Sequence, residues 1–407
     1  MLIRRRTAFL GLTASWMLGR SSLALGTRGS GPDDPRFVAV ILRGALDGMA
    51  AVVPYGDPAL AGWRQGLLSP EPGREGGLLD LGGFYGLHPA LPGLHRLYAA
   101  GEMLPIHAVA GHYRSRSHFE AQDYLESGAD ERLTSGWLNR AVQAMPSAGR
   151  DAGRPDGVGL AMGLTVPLLL RGPTRVGSYA PAGGRHPDEA LYARIAALNA
   201  ADPLTGPAIR NGLKARGFSD ATLAGVPPLP GMEGDQKNRK PGSFEILAHA
   251  AGGLLADPKG PRVAALEIGG WDTHAGQKGR LNGPLSQLDS GITALRDALG
   301  PVWKRSVVLV MTEFGRTVRM NGTGGTDHGT ATIAFLLGGS VAGGRVGGTW
   351  PGLRQGQLFE NRDLAPTTDL RAIACGVLRD HLGLGRTALA QVFPGFRSSP
   401  EAGLMRG

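Results

Sequence analysis

Two Asp-His sets stand out in the sequence: Asp272-Thr273-His274 and the adjacent pair Asp327-His328. Glu313 and Arg316 lie shortly before the second pair, and Asp47 follows an early apolar run. Carboxylate and imidazole donors without sulfur suit zinc, manganese, magnesium or calcium, and histidine tilts the choice toward the transition metals. A divalent cation held by Asp47, Asp272, His274, Glu313, Asp327 and His328 could polarise a phosphoryl or sulfuryl oxygen and activate a hydroxyl or water. Ser117 opens an expected helix, where backbone amides and the helix dipole favour an anionic oxygen. Arg114, Arg116 and Arg316 could grip a tetrahedral oxyanion through paired N–H groups. Plainer roles compete. Asp47-Gly48 is a common turn pair, Ser117 with Glu120 makes a capping box, Glu313 and Arg316 could form an ion pair, and Arg114 and Arg116 could be solvated surface charges. His88, His95, His249 and His381 read as structural.

These residues can meet only if the chain brings strand ends together. Phe37–Leu42, Met103–Ala110, Val263–Ile268, Val307–Met311 and Ala331–Leu337 are short apolar runs, the pattern of strands buried on both faces. Helical patterns lie between them, over residues 89–100, 115–127, 188–201, 243–256 and 367–383. The helix after Val263–Ile268 carries Leu285, Leu288, Ile292, Leu295 and Leu299 on one face. Strands alternating with helices predict right-handed crossovers and one doubly wound α/β domain, its central sheet mostly parallel and covered by helices on both faces. In such a sheet Asp47, Asp272, His274 and Glu313 follow strand ends on one edge, the edge where ligands bind. The domain spans 36–400, with a loop-rich insert around 146–242 that contains a hairpin through Gly159–Leu170. Residues 226–242 read as a polar, proline-rich connector.

Of 407 residues 42% are hydrophobic and 19% charged, so a large core is available; 66 glycines and 29 prolines point to long structured loops rather than a helical bundle. Arg4-Arg5-Arg6 ahead of an apolar stretch ending at Leu18 resembles a twin-arginine export signal, placed at residues 1–24, with an ordinary secretory signal as the plainer alternative. That leader implies passage through export machinery to a periplasmic or extracellular location. It also holds four of the basic residues (Arg4, Arg5, Arg6, Arg20), and subtracting these from the net +9 leaves +5 with no basic run. Nucleic-acid binding does not follow from such a distribution. No later segment is apolar enough to be transmembrane, and a single cysteine, Cys375, excludes an internal disulfide or a cysteine-based metal site.

The motifs LRGALDG (42–48), RSHFEAQDYLESG (116–128), GWLNR (136–140), GGWDTHAGQ (269–277), MTEFGRT (311–317), GTDHGT (325–330), TWPGL (349–353) and DLAPTTDLRA (363–372) together resemble the DUF1501 family. These are exported bacterial proteins of unknown function, grouped with the alkaline phosphatase and sulfatase superfamily. The resemblance implies an alkaline-phosphatase-like fold with a two-metal site and a hydroxyl nucleophile. Residue by residue, Asp47 would be the first-strand metal ligand, Ser117 the nucleophile, Asp272 and His274 the pair of one metal site, and His328 the late histidine completing it. One departure is visible. The superfamily commonly places an Asp-His pair where this chain has Glu313-Phe314, so a second metal site is either rebuilt with Asp327 or lost.

The resulting expectation is an exported metal-dependent hydrolase of small anionic phosphate or sulfate esters, using zinc, manganese or calcium. The alternative is a periplasmic or surface binding or assembly protein that kept the fold without the chemistry; Phe314 and the glycine-rich loops motivate it.

Overall fold

β-Branched and aliphatic runs form the centre of the molecule. The computed structural model describes residues 21–22, 34–145, 159–180, 189–203, 205–229 and 242–407. Its main strands are Arg36–Leu42 (β1), Met103–Ala110 (β2), Gly159–Met162 (β3), Val176–Tyr179 (β4), Val263–Ile268 (β5), Ser306–Thr312 (β6), Thr332–Leu337 (β7) and Thr368–Asp369 (β8). They form one sheet in the order β4-β3-β5-β1-β6-β7-β2-β8, with Ser21–Ser22 pairing antiparallel outside β4. From β4 to β6 all neighbours are parallel. β7 is antiparallel to both β6 and β2, which restores the common direction in β2 and β8.

Side chains alternate across a strand, and β1 shows the result. Val38, Val40 and Leu42 pack into one hydrophobic layer, while Phe37, Ala39 and Ile41 pack into the other. The first layer is closed by helices Pro92–Ala99 (α1), Ser243–Ala256 (α6) and Asn282–Leu299 (α7); the second by His118–Ser127 (α2), Trp137–Ala144 (α3), Leu370–Asp380 (α8) and Arg386–Val392 (α9). Glu189–Asn199 (α4) and Thr205–Ala224 (α5) lie between β4 and α6 in sequence. The doubly wound α/β architecture is therefore observed. On α7 the predicted stripe from Leu285 to Leu299 is buried to within 1%, and each such leucine or isoleucine contributes about 1.5–3 kcal/mol.

Two local expectations change. Gly159–Met162 does not turn back on itself as a hairpin; it runs parallel to Val176–Tyr179, and both strands belong to the main sheet. Residues 205–224 form a helix that the sequence does not advertise, because glycines at 206, 212 and 217 and Pro207 interrupt any apolar stripe. The 188–201 and 243–256 patterns appear as α4 and α6. The leader, apart from residues 21–22, and most of the 226–242 connector (230–241) lie outside the described residues. Among the described residues no helix is long and apolar enough to cross a membrane.

The topology delivers the candidate residues to one edge. β1, β5, β6 and β2 all end there, leading to Asp47, to Asp272 and His274, to Glu313, and to the 111–117 loop before α2. β7 runs the other way, so it begins at that edge, and Asp327-His328 immediately precede it.

Candidate metal centre

Four side chains point their ligand atoms at one another. His118 Nε2 lies 2.9 Å from His328 Nε2, and Asp272 Oδ1 lies 3.3 Å from His328 Nε2 and 3.6 Å from His118 Nε2. These three form a group whose ligand atoms are all within 4.8 Å of one another. His274 Nε2 stands 3.0 Å from both His328 Nε2 and Asp272 Oδ1.

The opposite nitrogen of each ring is held by protein. His118 Nδ1 donates to Glu313 Oε1 at 2.8 Å, His274 Nδ1 to Asp327 Oδ1 at 3.4 Å, and His328 Nδ1 to the Arg116 carbonyl at 3.1 Å. A carbonyl only accepts, so His328 carries its proton on Nδ1 and presents a lone pair at Nε2. Carboxylates and carbonyls placed behind imidazoles in this way fix the tautomer of metal-binding histidines and raise their basicity. Ligands about 2.0–2.1 Å from a tetrahedral zinc stand about 3.3–3.4 Å apart, close to the 2.9–3.6 Å separations within the His118, Asp272 and His328 group. The donor set fits a divalent cation.

Titration behaviour follows from these partners. The Glu313 hydrogen bond raises the pKa of His118 despite burial. Burial lowers that of His328, helped by the neighbouring His118 and Arg316 charges. Burial pushes Asp272 and Glu313 upward, but hydrogen bonds outweigh it and hold both below the usual carboxylate value. For Asp272 the donor is Arg316; for Glu313 the chief donor is His118.

The loops close on each other backbone to backbone, which explains their glycines better than flexibility does. A Cβ on Gly325 would stand 2.2 Å from the His274 carbonyl oxygen, and one on Gly329 2.4 Å from the Arg316 backbone. Only glycine permits such approach.

Several assigned residues take other places. Asp47 does not join the cluster: it is 1% exposed, 2.6 Å from Arg64 Nη1, and accepts from Gln277 Nε2. Gln277 Oε1 in turn accepts from Thr273 and Thr326, so Asp47 braces the two histidine loops from beneath. Glu313 and Asp327 stand behind imidazoles rather than beside the ligand atoms. Arg316 contacts Asp272 Oδ1 at 2.6 Å, but its other N–H groups go to the carbonyls of Gly44, Ala45, Trp271 and Thr326 and to His274. Buried and fully spent, it ties strand-end loops together and offers nothing to a substrate oxyanion. Arg114 turns back to the Gly111 carbonyl. Arg116 pairs with the buried carboxylate of Asp363 and with Glu360. Its backbone has φ +62°, the left-handed region unusual for a side-chain-bearing residue, and its carbonyl orients His328. Ser117 occupies the N-cap of α2 without a side-chain capping bond, and Glu120 bonds Tyr113 instead, so the expected capping box does not form.

His118 is the candidate ligand that sequence reasoning missed. It follows Ser117 at the start of α2, where the serine gives the stronger local signal of a helix cap. The available signal was a histidine at the first turn of a helix entered from the same sheet edge as the other ligands.

A doubly wound α/β chain with a histidine-rich candidate cation pocket at its strand ends is thus the class defined by fold and site. The chain belongs to the DUF1501 family, described as proteins of unknown function, whose sequence profile matches residues 103–393. Among solved structures it is similar to the lipoteichoic acid synthase LtaP from Listeria monocytogenes, at 11% identity and a TM-score of 0.31 over 92% of this chain and 78% of that one. A likeness at that level says nothing about activity. No curated protein matches the chain.

Proposed function

We propose that the protein is an exported metal-dependent hydrolase of phosphate or sulfate esters. The observation that carries this reading is the convergence of His118 Nε2, Asp272 Oδ1 and His328 Nε2, with His274 beside them and a protein acceptor behind every ring. An imidazole-rich set favours zinc or manganese over calcium, which takes six to eight oxygen ligands. A cation held there would supply charge to stabilise the ester oxygens and the leaving group. The chain's own residues supply position. Arg316 fixes Asp272, Glu313 fixes His118, and Asp327 fixes His274. Ser117, adjacent to His118 and free of a capping bond, is the hydroxyl nucleophile this reading assigns.

The test is metal analysis of purified mature protein, then a screen of aryl phosphates and sulfates with added zinc or manganese. The expected result is bound metal and turnover abolished in Ser117→Ala with metal content retained. Absence of both metal and turnover in wild type would leave the binding or assembly role, and silent His274→Ala and His328→Ala variants in vivo would mark the site as vestigial.

A further inference from the structure

A second concavity, of about 220 Å³, opens next to the cation pocket. The residues that matter in its wall are Trp63, Arg319, Asn321, Asp327, Asn361 and Arg362. Three of them also hold the metal-binding histidines. Asp327 Oδ1 backs His274 Nδ1 at 3.4 Å, Asn321 Nδ2 donates to the His274 carbonyl at 2.9 Å and to Asp327 Oδ1 at 3.1 Å, and Arg362 Nη2 donates to the His328 carbonyl at 2.8 Å. Asp327 therefore lines the second recess while its carboxylate backs a histidine of the first.

The chemistry of this wall is cationic. Two guanidiniums face one carboxylate, and that carboxylate already serves Asn321 and His274. Arg319 is exposed and lies over the Trp63 ring at 4.4 Å. Stacking holds the guanidinium by its face and leaves its N–H edge to solvent. Arg362 donates one bond to the His328 carbonyl, while its Nη1 stays 3.6 Å from Asp363, and its side chain is 40% exposed. The amide of Asn361, also exposed, adds hydrogen-bonding capacity. The volume leaves room for a phosphate, sulfate or carboxylate with the carbons that bear it.

We propose that this concavity binds a second anionic group carried by the alcohol part of the ester, so that the preferred substrates are polyanionic. The inference rests on the hydrolase reading above and extends it to a substrate class. With the first ester group at the histidine cluster, a second anion a few bonds away reaches past the His274 ring to Arg319 and Arg362. A monoanionic ester of a neutral alcohol has nothing to place there.

The probes are glucose 1,6-bisphosphate and glucose 1-phosphate, which differ by one anionic group. Their dissociation constants are measured by calorimetry on zinc-loaded protein with wild-type Arg319, Arg319→Ala or Arg319→Glu, each in the Ser117→Ala background so that neither probe is hydrolysed during the titration. Arg319 is exposed and touches no histidine, so zinc content serves as the folding control. One charge-assisted contact gives about a ten- to hundredfold preference. With Arg319 intact the protein should bind the bisphosphate at least about tenfold more tightly than the monophosphate, and the preference should shrink in Arg319→Ala and vanish in Arg319→Glu. Equal affinities with Arg319 intact, no binding of either probe, or an undiminished preference in Arg319→Glu would overturn the proposal. Failure of the hydrolase reading looks different: no zinc and no turnover of any ester in the unsubstituted protein.

Discussion

Glu313→Gln separates the charge behind His118 from its shape. Glu313 Oε1 accepts from His118 Nδ1 at 2.8 Å, the Gly44 amide at 2.9 Å and Gln122 Nε2 at 3.1 Å, while Oε2 accepts from the Thr312 hydroxyl at 2.9 Å. Glutamine can keep its amide oxygen at the three-donor position and turn its NH2 toward Thr312. The Thr312 proton has another acceptor 2.7 Å away in the Leu42 carbonyl, so its oxygen can accept instead. The variant should fold, and what it loses is the negative charge. Removing a carboxylate behind a metal-binding imidazole costs about 10- to 100-fold in metal affinity, or about 1.4–2.7 kcal/mol. Competition with a chromophoric zinc chelator reads this directly, and thermal melts of the metal-free proteins check the fold. The pH dependence has a definite sign. Glu313 raises the pKa of His118, so protons compete with metal on that ring more strongly in wild type than in the variant. The affinity gap should therefore be widest at pH about 8.5, above the histidine range, and should narrow as pH falls through it. A folded variant within about threefold of wild type at high pH, or a gap that widens on acidification, would refute the assignment of Glu313 as the support of His118.

Three other outcomes follow from the same geometry. Asp47→Asn should cost about 3–5 kcal/mol in denaturant unfolding, because it leaves Arg64 as an uncompensated buried charge, yet zinc stoichiometry should hold; loss of zinc from a folded variant would return Asp47 to the ligand set. His107, 1% exposed, donates from Nε2 to Val52 O and accepts the Ala108 amide at Nδ1, so it is neutral, with burial pushing its pKa down to about 4. The unfolded chain binds the extra proton first, so stability from this group is complete above pH about 6.5 and falls by about 3 kcal/mol as pH drops toward 4; His107→Gln should flatten that limb in pH-dependent melts. Metal analysis should give one divalent cation per chain, since the described residues contain a single cluster of this kind, and two tightly bound equivalents would overturn the one-centre reading.

How far the sequence could be read depended on whether a feature is local. β1, β5 and β6 were legible because a strand buried on both faces must be apolar throughout, and the α7 stripe because a helix on a sheet must be apolar on one side. Placing Asp272, His274, Asp327 and His328 at one edge needed only the direction of the strands. Hydrogen-bond partners are not local. Arg316 looked like an anion binder, but nothing in its neighbours reveals that Gly44, Ala45, Trp271 and Thr326 would aim carbonyls at it. Asp47 looked like a ligand because nothing beside it in sequence reveals that Arg64, at the end of the short helix Leu60–Arg64, would pair with it.

The pair Glu313-Phe314 shows the same limit from the other side. In sequence it reads as a gap, because the resemblance to the alkaline phosphatase and sulfatase superfamily leads one to expect an Asp-His pair there, and this chain has a ring that cannot ligate. In the fold the ring of Phe314 packs 4.9 Å from His118 and 5.1 Å from His328, and joins Ala45 and Ala121 in a small apolar cluster. That wall limits where either imidazole can swing, while Glu313 fixes the His118 tautomer from behind. A carboxylate or imidazole at position 314 would face this apolar cluster in place of the ring. The ring that offers no ligand to a second cation therefore also orders the two imidazoles of the candidate site, and a one-cation site is the arrangement these contacts favour.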